Sequence, residues 1–324
     1  MAFQHELSWS ASRSGTFAAC KRRYYYDYYY SWNGWLRESP EGRQSAWRLK
    51  KMTRLPMLAG DVLHQAIAEY FDMKSEGREM LEDELVGFAV KKLRDAYKES
   101  RDGRGLWRNR PSQSAHLAEH HFKEECIDEK TDAAAEYGKR FVERLRTGGK
   151  FFMNSPELAS LHQLTRDQVL CVEGRAPGNR ASRDMPTIEL FGTKVFAIPD
   201  FACKTEEAGG TRYWIYDWKS GSPREADVFQ LGVYTLYAME KWGAAPEQVN
   251  CVDVYLTKGE LVSLTHTQDD LAPILSRIEG SLAEMREMHF DAGDSAGDEA
   301  PFPMVDAPSR ECTSCNYREL CGRQ

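Results

Sequence analysis

Two aspartates and a lysine carry the clearest chemistry in this chain. The segment "AIPDFAC" brings an apolar run to Asp200, and "YWIYDWKSG" sets Asp217 and Lys219 two positions apart. Residues two apart in an extended strand point to the same face. Asp217 and Lys219 therefore project together, and Asp200, read as the end of a strand, can meet them from the strand alongside. Paired carboxylates hold hard divalent cations. Such a cation polarises a phosphate and lowers the pKa of a bound water. A lysine beside it can orient that water or offset charge developing on phosphate. The set is equipped for metal-assisted phosphodiester hydrolysis, although Asp-x-Lys alone also describes a surface ion pair. "QLGVYTLYA" follows with helical spacing, so Gln230 and Tyr234 share a face. His64, in "GDVLH", borders the apolar face of its helix, where a histidine is more often structural than a ligand.

The cysteines form a second constellation. Cys312, Cys315 and Cys321 make C-x2-C-x5-C, one thiolate short of a tetrahedral metal site or a cubane cluster. Cys126, Cys171, Cys203 and Cys251 stand alone in helix or strand patterns, where a thiol is usually a small core residue. Cys20 differs, because it opens "CKRRYYYDYYY". If residues 10–30 are one helix, Phe17, Cys20, Tyr24 and Tyr28 share a face. That would hold a sulfur amid water-excluding rings. Cys20 is thus the expected fourth ligand, joining the two ends of the chain around a 4Fe-4S cluster. Zinc is the alternative, since C-x2-C by itself favours zinc. A tie of this length would constrain the unfolded chain by roughly 5–6 kcal/mol on the loop-entropy account.

The elements that must position these groups fall into zones. Residues 10–150 read as mostly helical. "MLAGDVLHQAIAEYFDM" places Leu63, Ala66, Ile67 and Tyr70 on one helix face, and "EDELVGFAVKKLRDAY" and "EYGKRFVERL" repeat the period. Gly148-Gly149 is expected to stop the last of these helices. Residues 160–266 turn β-branched and aromatic in short runs, interrupted by one helix from about Pro223 to Trp242, which predicts an α/β sheet. A helix near 271–289 precedes an acidic, proline-containing stretch. The divisions are 1–55 with the first cluster cysteine, 56–150 helical with His64, 151–290 the core, 291–308 an acidic linker, and 309–324 the cysteine segment.

Composition narrows the setting. No window approaches the roughly 18 apolar residues of a membrane span. The start lacks the basic-then-apolar order of a signal peptide, so the expected compartment is cytoplasmic and the eight cysteines are not a disulfide framework. The net charge of −7 argues against a nonspecific nucleic-acid coat but permits a local basic groove. Candidates are Arg43, Arg48, Lys50, Lys51 and Arg54 in one segment and Arg104, Arg108 and Arg110 in another. A pair of solvated loops would show the same charges. There is no GxxxxGK[ST] phosphate loop, so any motor must be a separate helicase partner.

Taken together these residues resemble the PD-(D/E)XK nuclease superfamily, specifically its RecB-like branch with an iron–sulfur cluster, to which CRISPR-associated RecB-like exonucleases and AddB-type nuclease domains belong. The matching elements occur in the family's order: "LSWSAS" leading to Cys20, "GDVLH", "IPD", "DWKSG", "QLGVY" and the terminal cysteines. The resemblance implies an α/β restriction-endonuclease-like core sheet flanked by helices, with a helical N-terminal region. It implies a DNA nuclease, most simply an exonuclease, using Mg²⁺ or Mn²⁺ on His64, Asp200 and Asp217 with Trp218 in the metal set. Lys219 would assist the attacking water, and Gln230 and Tyr234 would support the site and contact DNA. The cluster would be structural. This chain departs from the family at Ala197, where Gly is frequent, and at Phe201, where Arg is frequent. The other reading is a non-catalytic DNA-binding or scaffold subunit of a helicase–nuclease complex. The filled catalytic positions separate the two, since a silent nuclease fold normally loses one.

Overall fold

The computed structural model describes residues 5–182, 185–293, 297–306 and 309–323. Parts of the expected acidic linker, 294–296 and 307–308, lie outside the described residues. The chain runs through β1 (Ser8–Trp9), α1 (Ala11–Ala19), α2 (Lys21–Tyr25) and a π-helical turn at Tyr26–Tyr30. Helices α3 (Glu41–Lys50), α4 (Leu55–Ser75), α5 (Glu82–Asp102), α6 (Arg104–Asn109), α7 (Ala118–Phe122) and α8 (Ala133–Asn154) follow. Then come β2 (Val169–Val172), β3 (Thr187–Leu190), β4 (Thr193–Phe196), β5 (Phe201–Glu207), β6 (Gly210–Lys219), α9 (Glu225–Trp242), β7 (Val249–Tyr255), β8 (Glu260–Thr265), α10 (Gln268–Glu287) and the short α11 (Arg310–Thr313).

The larger sheet has the order β2-β5-β6-β7-β8. Within this sheet β6 and β7 pair in parallel and the other neighbours antiparallel, and α9 is the crossover that the parallel pair requires. The remaining strands form a small sheet, β1-β4-β3. Alternation along the strands divides the apolar residues between two clusters. Phe201, Tyr216, Trp218 and Val254 belong with α4, α5 and α8. Ala202, Ile215 and Cys251 belong with α9, α10 and the N-terminal aromatics. The β7 strand is buried at every position, as a strand covered on both faces must be. This is the α/β core with flanking helices that the strand and helix patterns predicted. Among the described residues, no helix is long and apolar enough to cross a membrane.

Three local expectations need correction. Gly148 and Gly149 do not end a helix; they lie inside α8. A Cβ at Gly148 would stand 2.8 Å from Leu63 Cδ2, and one at Gly149 would stand 2.8 Å from Val86 Cγ2. These glycines let α8 approach α4 and α5, and that contact outweighs their poor helix propensity. Residues 10–30 are not one helix. Cys20 is extended, with φ −163°, and caps the end of α1 and the start of α2. The aromatic stacking survives the break: Phe17 meets Tyr24, and Tyr24 meets Tyr28, each at a centroid distance of 5.0 Å. Finally, Asp200 does not end a strand but immediately precedes β5.

Candidate metal centre and catalytic site

Backbone pairing brings the acidic groups together. The β5–β6 register sets Phe201 opposite Tyr216, which leaves Asp200 beside Asp217. The Trp218 backbone N–H donates to Asp200 Oδ2 at 2.7 Å. On α4, Gly60 packs so closely on Ser220 that a Cβ would stand 2.8 Å from its Oγ. One helical turn later, His64 Nδ1 reaches to 3.5 Å from Asp200 Oδ2.

A residue that the sequence reading passed over completes this corner. Glu173 follows β2 in a left-handed backbone conformation, φ 49°, uncommon for a non-glycine residue and often found at functional sites. Its N–H donates to the Asp200 carbonyl at 2.7 Å, which fixes the turn. One ligand atom from each of His64, Glu173 and Asp200 lies within 4.8 Å of the others. Glu173 Oε1 is buried without a hydrogen-bond partner. An orphaned oxygen in a nest of carboxylates and imidazole fits a bound divalent cation.

Lys219 occupies the neighbouring position. Its ammonium presses on Asp217 Oδ2 and donates to Gln230 Oε1 at 3.0 Å. Gln230 Nε2 donates to the Tyr234 hydroxyl at 2.7 Å, and that hydroxyl lies 3.3 Å from Asp217 Oδ1 and 3.1 Å from the Ile198 carbonyl. Two further carboxylates surround the ammonium. Asp253 Oδ1 is at 3.7 Å and Asp227 Oδ1 at 3.8 Å. Asp253 lies across from Asp217 on the parallel neighbour β7. An acid within a wholly buried strand was its signal in the sequence. Asp227 is also held by the Tyr255 hydroxyl at 3.0 Å.

The protonation pattern shows an excess of negative charge. Burial raises Asp217 well above the usual carboxylate range, and the charge of Asp200 adds to this. Burial would raise Asp200 too, but His64 and hydrogen bonds hold it below its ordinary value. Burial, reinforced by Asp200, pushes Glu173 up to about 7. Burial opposes charge on His64, yet Asp200, Glu173 and Asp217 overcome it and raise the imidazole to about 9. Lys219 is likewise raised against its burial by Asp217, Asp253 and Asp227. Protons thus gather where a cation would neutralise the same carboxylates.

Other candidate residues lie elsewhere. The Trp218 indole is in the apolar core, 5.6 Å from Phe152, so only its backbone serves the site. Phe201 is fully buried and stacks on Phe71 at 4.0 Å, which accounts for an aromatic side chain at this position. None of the eight basic candidates lines the groove beside Gln230 and Tyr234. Arg43 is buried and donates to the Ala292 carbonyl at 2.6 Å. Arg48 pairs with Glu41, Arg54 with Glu124. Lys50 caps the Asp27 carbonyl, and Lys51 lies over Trp47. Arg104, Arg108 and Arg110 are exposed on and just after α6.

At the joined chain ends, Cys20, Cys312, Cys315 and Cys321 line one cavity with Tyr26 and Tyr317. Cys20 Sγ accepts from Arg23 N and Cys315 Sγ from Tyr317 N, each at 3.4 Å. Arg323 donates to Cys312 Sγ at 3.2 Å. Of the remaining cysteines, Cys171, Cys203 and Cys251 are buried in strands, whereas Cys126 sits half-buried in a 3₁₀ turn rather than in the core. No curated protein matches the chain. The sequence profile of the PD-(D/E)XK nuclease superfamily, a group of phosphodiester-cleaving enzymes, matches residues 8–322, and the chain belongs to that superfamily.

Proposed function

We propose that the chain is a Mg²⁺- or Mn²⁺-dependent deoxyribonuclease of the RecB-like branch, acting as an exonuclease, with a structural 4Fe-4S cluster. The observation that carries this reading is the convergence of His64, Glu173 and Asp200 beside the Asp217–Lys219 pair. His64, Glu173, Asp200 and Asp217 would hold a divalent cation, which when bound would supply Lewis acidity and a water of lowered pKa. The residues of the chain do the positioning. Gln230, itself fixed by Tyr234, holds the Lys219 ammonium at the carboxylates. From there Lys219 orients the attacking water and offsets charge on the scissile phosphate. The water oxygen bonds to phosphorus and gives up a proton to solvent, the P–O bond to the departing sugar breaks, and the departing oxygen takes up a proton from solvent, so that one water is consumed.

Cys20, Cys312, Cys315 and Cys321 would hold the cluster. Four soft thiolate donors suit zinc or iron–sulfur. A tetrahedral zinc bonded at about 2.3 Å requires sulfurs roughly 3.8 Å apart. The shared cavity lined by all four cysteines supports one common site, with zinc as the alternative occupant. The test is cleavage of end-labelled single- and double-stranded DNA with Mn²⁺ or Mg²⁺, under anaerobic handling. Wild type should cut and Asp217→Ala should lose at least about a thousandfold in rate, the scale expected when metal-centred transition-state stabilisation is removed. Intact DNA with a brown, folded wild type would refute the catalytic reading and leave a DNA-binding scaffold.

A further inference from the structure

A groove beside the catalytic residues has no assigned occupant. It runs between α1, α9 and α10, with Gln230 and Tyr234 on its lining, and encloses 1010 Å³. That is at the upper end of the roughly 300–1,000 Å³ of small-molecule sites, long enough along three helices for a chain segment to lie in it. Its charge runs against that of the chain as a whole. Arg13, Lys21, Arg224 and Arg277 line it, opposed by Asp227 and Glu284, whereas the full sequence carries −7. Lys21 is near Glu284, at 3.6 Å. Arg224 lies 3.6 Å from Asp227 Oδ1 with its side chain 74% exposed, so it can turn from that contact toward a phosphate. Arg277 lies over the Phe229 ring, 4.1 Å from its centroid.

We propose that this groove carries single-stranded DNA on one side of the scissile phosphate, with Arg224 and Arg277 gripping the backbone and the Arg277–Phe229 pair stacking a base. The inference rests on the nuclease reading of the neighbouring site. A local positive excess attracts a phosphate chain. The flat cation-on-ring surface suits unpaired bases, which stack on aromatic and guanidinium planes, whereas a duplex keeps its bases within its own stack. Because Gln230 lies on both the groove wall and the Lys219 hydrogen bond, a strand in the groove leads to the reacting atoms.

The test is fluorescence anisotropy of a labelled oligothymidylate with the full chain in EDTA, where no hydrolysis occurs. Arg277→Glu and Arg224→Glu should each weaken binding about tenfold and flatten its salt dependence by about one to two charges. Phe229→Leu, which keeps apolar packing against Trp9, should weaken oligothymidylate about fivefold and a closed hairpin duplex less than twofold. Arg146→Glu, on the distant α8, should change nothing. Affinities within twofold of wild type for both arginine variants would overturn the groove assignment. So would equal losses on the duplex, or a wild-type preference for oligouridylate. Failure of the nuclease reading looks different: oligothymidylate is gripped through Arg224 and Arg277 yet stays uncut when Mn²⁺ is added.

Discussion

Glu173 enters the site through its backbone rather than through a recognisable motif. The facing of Asp217 with Lys219 and of Gln230 with Tyr234 was legible because strand and helix periods fix it, whereas Asp200, expected at a strand end, lies just before β5. His64 was legible only with the family pattern beside it. Glu173 was not, because "VEG" reads as a strand end followed by a turn, and its left-handed φ is invisible in residue types. The remaining clue was a carboxylate placed directly after an apolar strand. Its unpartnered oxygen makes a specific expectation. Glu173→Gln should keep the fold and weaken Mn²⁺ at least about tenfold, the scale seen when a metal's supporting ligands are altered. Mn²⁺ titration followed by electron paramagnetic resonance measures this, and equal affinities would remove Glu173 from the ligand set.

Elements obeyed their periods where packing agreed with propensity and departed where a tertiary contact was stronger. The paired glycines of α8 illustrate the departure, because the helix neighbours that they accommodate are far away in sequence. The segment between α6 and α7 makes a testable case of burial acting on a titratable ring. His116 is buried and stacks on Trp107 at 4.0 Å. Burial, with His121, Arg104 and His120 nearby, pushes it down to about 4. Its ring is therefore neutral in the folded state while the unfolded chain takes up a proton near pH 6.5. The contribution is complete above pH 6.5 and is lost as pH falls toward 4, at up to about 1.4 kcal/mol per pH unit. His116→Phe should keep the stack and remove this slope. Between pH 6.5 and 5 the wild type should lose about 2 kcal/mol more than the variant in denaturant melts. Parallel losses would show that other groups govern acid sensitivity.

At the scale of the whole molecule, polar contacts hold the two ends of the chain together. The Arg22 N–H donates to the Pro303 carbonyl at 3.1 Å, the Tyr317 hydroxyl to Asp27 at 2.6 Å, and Asn316 to the Leu49 and Met52 carbonyls at 3.1 and 2.9 Å. Cysteine spacing made the joining of the ends readable, but not these polar stitches or the groove, whose walls are distant in sequence. If a cluster sits among the thiols, Cys20→Ser should bleach the iron–sulfur absorbance and lower the melting temperature by about 10 °C, corresponding to a loss of a few kcal/mol. An unchanged melt would mean that the stitches suffice alone. The placing of Cys20 and the last three cysteines around one cavity also bears on how the protein is born. A ribosome releases the chain from its N-terminal side, so Asp200, Asp217 and Lys219 emerge while Cys20 still lacks all three partners and α1 still lacks α10 opposite it. The residues of the candidate site are thus translated before the structures that flank and brace them, and a half-made chain holds these side chains without a finished place to use them.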